Sequence, residues 1–449
     1  MEIPPAVLRI MQTLRDAGHT ALLAGGCVRD ALLGREAHDW DIATSAAPDA
    51  VQALFPKTVA VGKSFGVIVV VTDAGEFEVA TFRTDGDYRD GRRPTSVCFS
   101  TPEADAARRD FTVNALFYDP FAREVRDYVG GRADLERKTI RAVGDPVLRF
   151  QEDHLRLLRA VRFAARLGFT LDPATARAAA ELAPTVKTVS AERVAAELTR
   201  IFSSPGAERG FRLLEELGLL REVLPEAAAL RGVAQPPEFH PEGDVFEHTA
   251  LMLRLREARA AENPEAFDGF SRQALGWAVV LHDIAKPATA FFDGRWRFNE
   301  HDVRGAEMAA GILERLKMPT RFIETVRALV IRHMHFINIG KMREAKRRRF
   351  LQDPLFPLHL ELHYLDCAGS HNLLENYEYA KKMWREEMAR PQPGPRLIGG
   401  TDLIALGFRP GARFKEILTA VEDAALEGEI TTPADARAWV LAHYPPDGK

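Results

Sequence analysis

Apolar residues recur at Val7, Ile10, Met11 and Leu14, the spacing of one buried helix face, between Pro4-Pro5 and Gly18. The chain therefore opens on a short amphipathic helix. Strand patterns follow: TALLAGG runs into a glycine turn, DWDIAT reads as a short strand, and FGVIVVVT with EFEVATFR reads as a hairpin turned at Asp73-Ala74-Gly75. Helical stretches at 28–33 and 48–54 lie between them, so residues 1–145 predict a small mixed α/β domain on one sheet. Beyond Asp145 strand signals cease, and helical periodicity dominates HLRLLRAVRFAARLGF, SAERVAAELTRIF and ERGFRLLEELGLL. The predicted class is α+β. Helical blocks are expected at 146–232 and 244–390, joined by a Pro- and Gly-rich linker at 233–243, with a helical tail domain at 391–449 after PQPGP.

Length and composition fit this division. The 449 residues exceed what one core organises, and 46% hydrophobic with 28% charged residues is an ordinary globular balance. Sixty Lys+Arg stand against 64 Asp+Glu, a net charge of −4, so any nucleic-acid contact must be local. Cys27, Cys98 and Cys367 form no CxxC pair, which excludes a disulfide framework and a thiolate zinc site. The N-terminus has no basic segment leading into an apolar one, and the run Val67 to Val71 is far too short for a bilayer. A cytoplasmic protein with no membrane attachment and no obligatory protein partner is expected.

Gly25-Gly26 ends a strand and precedes a helix, a layout in which backbone N–H groups approach a phosphate without Cβ interference. Asp39 and Asp41 read as positions i and i+2 of a strand, with both carboxylates on one face about 7 Å apart. Two like charges on one face call for a cation, and magnesium takes such oxygen ligands while keeping positions for a triphosphate. Glu78 is the candidate third carboxylate, with Glu76 its rival on the same face. A DxD alone reads first as an exposed strand end, and only its context reverses that.

Its surroundings are specific. GGCVRDALLGREAHDWDI resembles the signature of the nucleotidyltransferases of the CCA-adding enzyme and bacterial poly(A) polymerase family, and VGKSFGVIVV, EVATFRTDGDYRDGRRPTSVCF, RRDFTVNAL, GDPVLRFQEDHLRLLRAVRFAARLGF and SAERVAAEL continue it through residue 202. The resemblance implies a palm at 1–145, a neck and body at 146–232, Mg²⁺ on Asp39 and Asp41, and nucleotide phosphates and ribose on Gly25, Gly26, Arg29, Arg109, Asp110 and Asn114. It further implies that Asp153 and Arg156 of the EDxxR motif read the base edge, so that protein rather than template selects C or A. The same helix carries Arg159, Arg162 and Arg166; the first two are expected near triphosphate or primer, the last on a solvated face. Residues 85–93 match the family's flexible loop.

His248, His282-Asp283 and Asp366 lie in helical patterns of the second block. Their order resembles the HD-superfamily metal-dependent phosphohydrolases, and His301 and His333 fall where two-metal members carry further ligands, implying Mg²⁺ or a divalent transition metal. Lys286 is placed to meet a phosphate or, equally, to pair with a carboxylate; His335, His359, His363 and His371 read as ordinary histidines. GKMREAKRRRF gathers six cations, a solvated face or an RNA-backbone patch. GTDLIALGFRPGARFKEIL resembles the family's tRNA-elbow-binding end, with Arg-Phe in place of the usual small pair.

The function this implies is template-independent addition of the 3′-CCA of tRNA from CTP and ATP, with an HD phosphohydrolase activity. Poly(A) polymerase shares nearly every motif, but VGKSFGVIVV resembles the CCA-adding version of that strand. A-only or CC-only addition is a further alternative, and a phosphohydrolase with an RNA-binding palm is the alternative of another class.

Overall fold

A computed structural model describes residues 1–37, 39–86, 96–262, 266–390 and 396–446. The chain forms two compact units, Met1–Arg231 with Ile312–Met318, and Gly232–Gly311 with Pro319–Lys449.

The first unit is built on a seven-stranded sheet. In chain order its strands are β1 (Ala21–Ala24), β2 (Ile42–Thr44), β3 (Thr58–Gly62), β4 (Val67–Thr72), β5 (Gly75–Thr81), β6 (Leu116–Asp119) and β7 (Glu124–Asp127), and in space they run β3-β4-β5-β2-β1-β6-β7. The expected β4–β5 hairpin is present with Val67 opposite Ala80 and Thr72 opposite Gly75. β2 and β5 pair parallel, Ile42 beside Val79, while β1 is antiparallel to both β2 and β6. Helix α1 (Pro5–Asp16) buries Val7, Ile10, Met11 and Leu14, as its periodicity requires. Helix α2 (Gly26–Leu32) follows β1, and the sheet gives way to helices α3 (Arg156–Leu167) and α4 (Ala191–Ser203), which pack together.

Asp39 and Asp41 precede β2, which starts only at Ile42. The strand alternation expected to aim both carboxylates therefore does not apply; Asp41 is fixed instead through its carbonyl, which accepts from Ala24 N–H at 3.0 Å. Of the expected loop at 85–93, only Asp85 and Gly86 lie within the described residues.

The second unit is helical: α5 (Val245–Glu262), α6 (Gly269–Leu281), α7 (His301–Arg315, whose last turn from Ile312 counts with the first unit), α8 (Thr320–Arg332), α9 (Glu344–Leu351), α10 (Phe356–Ala368), α11 (Glu375–Ala389) and, in the tail, α12 (Ala412–Glu427). It also holds an unexpected hairpin, β8 (Ala290–Phe292) and β9 (Trp296–Phe298). The signal was local, since Asp293-Gly294 sits between aromatic residues and Gly294 takes φ +90° at the turn. A two-residue parallel pair, Thr139–Ile140 with Thr170–Leu171, is likewise absent from the periodicity. The tail has its own core around Leu403, Phe408, Ile417 and Val421. Among the described residues no helix is long and apolar enough to cross a membrane.

Candidate functional site

Gly25 closes β1 with φ +74° and ψ −123°, a region L side chains rarely adopt. A Cβ there would stand 3.0 Å from Arg109 Nη1 and 3.9 Å from Asp41 Oδ2, so the glycine lets a cation and a carboxylate converge on this turn. Beside it opens a cavity of about 460 Å³. Arg109 is held by Asp105 at 3.0 Å and donates to the Asn114 carbonyl at 3.2 Å.

A polar chain ties α2 to α3. Arg29 Nη1 donates to Asn114 Oδ1 at 2.6 Å, Asn114 Nδ2 donates to Asp110 Oδ1 at 3.1 Å, and Arg159 grips Asp110 Oδ2 at 2.8 and 2.6 Å. Burial alone would raise the Asp110 carboxyl; the Arg159 charge and hydrogen bonds overcome it and hold the pKa at about 2. Arg29, Arg159 and Arg162 all lie over the Phe163 ring, at 5.4, 5.2 and 4.2 Å. The negative face of one ring offsets part of their mutual repulsion.

On the acidic side, burial pushes the Asp41 pKa up, and the charges of Glu78 and Asp39 push the same way against Arg109. The register explains Glu78: Ile42 lies beside Val79, so Glu78 falls next to Asp41, whereas Glu76 lies two residues further along β5. Three carboxylates gathered around one position are the donor set a hard divalent cation requires.

In the second unit four histidines share one pattern. Nδ1 of His282, His301 and His333 faces the carbonyls of Val279, Phe298 and Val330 at 2.9, 2.7 and 2.6 Å, and Nδ1 of His248 lies 3.2 Å from the Gly369 carbonyl. A carbonyl only accepts, so in His282, His301 and His333 Nδ1 carries the proton and Nε2 turns a lone pair inward; His248 differs, because carboxylates face both of its nitrogens, Glu242 at Nδ1 and Asp366 at Nε2. His301 Nε2 and His333 Nε2 face each other at 3.1 Å, and the buried His282 Nε2 makes no hydrogen bond among the described residues. Opposed lone pairs in a buried cluster call for a cation between them. Among the described residues three groups of ligand atoms lie within 4.8 Å of one another: His248, His282 and Asp366; Asp283, His301 and His333; and His240 and Glu242 with His248. Asp283 touches the first two groups, Oδ2 3.1 Å from His282 and Oδ1 3.5 Å from His301. Burial opposes a charge on His248, but hydrogen bonds to Asp366 and Glu242 overcome it and push its pKa up to about 9, so this position favours positive charge. His333 is held down at about 4 by burial and by His301 and His282, and stays neutral.

Residues 21–141 match the family described as poly A polymerase head domain, 168–230 the family described as probable RNA and SrmB-binding site of polymerase A, and 245–365 the HD domain. The CCA-adding enzyme of Geobacillus stearothermophilus is 48% identical over 213 residues, 47% of this chain and 52% of that relative. The chain thus spans about half the length of the first relatives it matches, in their best-aligned block. The A-adding tRNA nucleotidyltransferase of Deinococcus radiodurans is 35% identical across 94% of both chains. A crystal structure of the Bacillus stearothermophilus CCA-adding enzyme in complex with CTP superposes with TM-score 0.73 at 30% identity, over 98% of each chain. The chain belongs to the CCA-adding enzyme family of tRNA nucleotidyltransferases.

For a member of this family, most of the residues singled out in the sequence converge. Gly25, Gly26, Arg29, Asp41 and Arg109 line the first cavity, as do Asp110, Asn114, Asp153, Arg156 and Arg159; Asp39 and Glu78 stand near enough to act on Asp41. Arg162 does not line it: although it shares the Phe163 ring with Arg159, its Nε lies 2.6 Å from the buried Glu197 of α4, which draws the guanidinium into the α3–α4 interface. Arg166 is exposed. Arg193 was missed. From α4 its Nη2 donates to Asp153 Oδ2 at 2.7 Å, while the buried Nη1 has no hydrogen-bond partner among the described residues. Arg156 is fixed in turn by Glu152 and the carbonyls of Arg149 and Arg108.

All six predicted HD residues meet, and the segment read as a linker adds to them. Glu242 lies 2.7 Å from His248 Nδ1, His240 2.8 Å from Glu242, and Gln235 accepts from Lys286 at 2.6 Å. Lys286 also pairs with Asp283 at 2.7 Å. A cavity of about 550 Å³ opens over this cluster. His363 stacks on Phe336, a packing role. In the basic run, Arg348 pairs with Glu387 and Arg349 with Asp423, leaving Lys341, Arg343 and Lys346 exposed.

Proposed function

We propose that this protein completes or repairs the 3′-CCA of tRNA from CTP and ATP in the cytoplasm, without a nucleic-acid template. The carrying observation is the cavity in which a wall of guanidinium groups and the Asp153–Arg156 pair meet beside the Asp41 cluster. Arg29, Arg109 and Arg159, with Gly25, Gly26, Asp110 and Asn114, bind the triphosphate and ribose and hold the α-phosphorus for in-line attack. Asp153 accepts from an exocyclic amine, and Arg156 donates to a ring nitrogen. Cytosine and adenine present that pair; uracil and guanine place a carbonyl against the carboxylate and leave it unsatisfied. The primer 3′-oxygen displaces pyrophosphate, forming one P–O bond as another breaks. Asp39 and Asp41, with Glu78 as third carboxylate, would hold Mg²⁺, which would supply charge neutralisation at the reacting phosphate.

In the second unit His248, His282, Asp283, His301, His333 and Asp366 hold divalent metal, Mg²⁺ or a transition ion, and the adjoining cavity takes phosphoesters such as 2′,3′-cyclic phosphates of RNA ends. The opposed imidazole lone pairs support this. The full-length likeness to an A-adding relative favours one second reading, addition of the final A alone.

Transcripts ending before CCA, after C and after CC, each given CTP, ATP or both, test the first part. Addition that stops after the third nucleotide supports it; growth only on the transcript ending in CC selects the second reading, and unlimited A-tailing refutes both. For the second unit, no hydrolysis of 2′,3′-cAMP or model phosphodiesters with Mg²⁺, Mn²⁺ or Ni²⁺, together with no metal bound, refutes the hydrolase.

A further inference from the structure

The cavity of about 550 Å³ over the histidine cluster has an aromatic rim that phosphate chemistry leaves unused. Strand β9 forms one side of it. Its inner end is tied to the ligands, because the Phe298 carbonyl faces His301 Nδ1 at 2.7 Å and Lys286 Nζ lies 5.2 Å from the centre of the Phe298 ring. Trp296 stands two residues further out on the same face of the strand, about 7 Å away. Phe292, its partner across the hairpin, meets the indole edge to face at 5.2 Å and steadies it. Trp296 and Phe298 both line the cavity, and Phe239, Ile337 and Leu373 join them there as exposed apolar side chains.

A phosphate makes no contact of value with such a surface. An apolar patch continuous with a charged cluster marks a place for the apolar part of a ligand whose charged part sits on the cluster. Among phosphoesters, a nucleotide carries a flat ring one sugar away from its phosphorus, a span of the same order as that from Phe298 to Trp296. The geometry points to a base-stacking subsite on Trp296, so that the esters taken are nucleotides, either free or at the end of an RNA chain. This rests on the hydrolase reading given above. An aromatic face accepts any base, so the subsite selects for the presence of a base and not for its identity. In hydrolysis of a 2′,3′-cyclic phosphate one P–O bond forms from water and one ring P–O bond breaks, the water proton passing to the released sugar oxygen. The base takes no part in that exchange, so its stacking lowers KM and leaves kcat alone.

The test uses the full chain with Mn²⁺ and three substrates. 2′,3′-cAMP is compared with methyl riboside 2,3-cyclic phosphate, which has the same ring and sugar and a methoxyl group in place of the base; the third is an RNA oligonucleotide with a 2′,3′-cyclic end. Trp296→Ala is expected to raise KM for the base-bearing esters about 5–30-fold, and Trp296→Phe less, while the base-free ester is affected less than either. The effect on 2′,3′-cAMP assigns free nucleotides, and an effect confined to the oligonucleotide assigns RNA ends. Phe291→Ala, an exposed hairpin position outside the lining, leaves these KM values unchanged. Calorimetric binding of 3′-AMP is measured on the same proteins, where the palm contributes equally and the difference between wild type and Trp296→Ala belongs to this cavity. A KM within about 2-fold of wild type for every base-bearing ester, or an equal loss on the base-free one, overturns the base subsite while the hydrolase stands. If no ester is hydrolysed, the hydrolase reading fails; the subsite then stands if Trp296→Ala weakens 3′-AMP binding about 5-fold or more, and unaltered binding overturns it too.

Discussion

Replacing Arg193 with alanine should loosen base selection more than it slows addition of the correct base. Its Nη2 holds Asp153 Oδ2 at 2.7 Å, with the two side chains 27% and 18% exposed. A charge-assisted hydrogen bond is worth roughly 1.5–3 kcal/mol. Partial solvation, and the Leu155 N–H that still holds Asp153 Oδ1 at 3.1 Å, reduce the expected loss to about 1–2 kcal/mol. That loss corresponds to about 5–30-fold in the discrimination of CTP against UTP. Single-turnover kcat/KM for all four nucleotides on one transcript measures it, with R193K as partial rescue because it restores charge without the planar fork. If D153A relaxes selection while R193A leaves the CTP to UTP ratio within 2-fold, Arg193 is merely structural. If D153A itself leaves selection intact, the assignment of the reading pair fails.

The Asp110 carboxyl lies at about 2 when folded against 3.8 ordinarily, so its stabilisation is complete above the unfolded value and disappears as pH falls towards 2. Between pH 7 and pH 3 the wild type should lose about 1 kcal/mol more than D110N, read from native-state hydrogen exchange of α3 amides; equal losses refute it. Gly25→Ala combines a positive-φ penalty with a Cβ 3.0 Å from Arg109, and should weaken triphosphate binding by about 10-fold or more in direct titration. Glu242→Gln removes a carboxylate 2.7 Å from His248, and should lower metal affinity by about 10–100-fold, measured as metal retained against a competing chelator. Unchanged retention would show that the carboxylate does not support the ligand.

Features set by local spacing were legible in the chain. Helix α1 follows from four apolar positions, the β4–β5 hairpin from its alternation and turn, and the positive-φ Gly25 from a glycine between strand and helix. The pairings that finish the sites join residues far apart in sequence, and no period encodes them: Arg193 with Asp153 is 40 residues away, and Arg29 with Asn114 is 85. Arg162 shows the same limit, since the helical stripe fixes its angle on α3 but not that Glu197 waits there. Segment 233–243 has the composition of a spacer, yet Glu242 reaches the histidine cluster because the chain doubles back at the start of α5. The hairpin at 290–298 was readable, as its Asp-Gly turn between aromatics has the ordinary form, but the helical context on either side masked it.

The hold of Arg193 on Asp153 also has a genetic side. If the terminal bases of tRNA are chosen by one carboxylate and the guanidinium groups around it, then the codon for residue 153 carries information that every tRNA gene can omit. A change from carboxylate to amide at that codon would offer a donor where an acceptor stood, and so invite a carbonyl-bearing base. A single missense substitution would rewrite the ends of the whole tRNA population at once, a form of inheritance that ordinarily belongs to a nucleic-acid template.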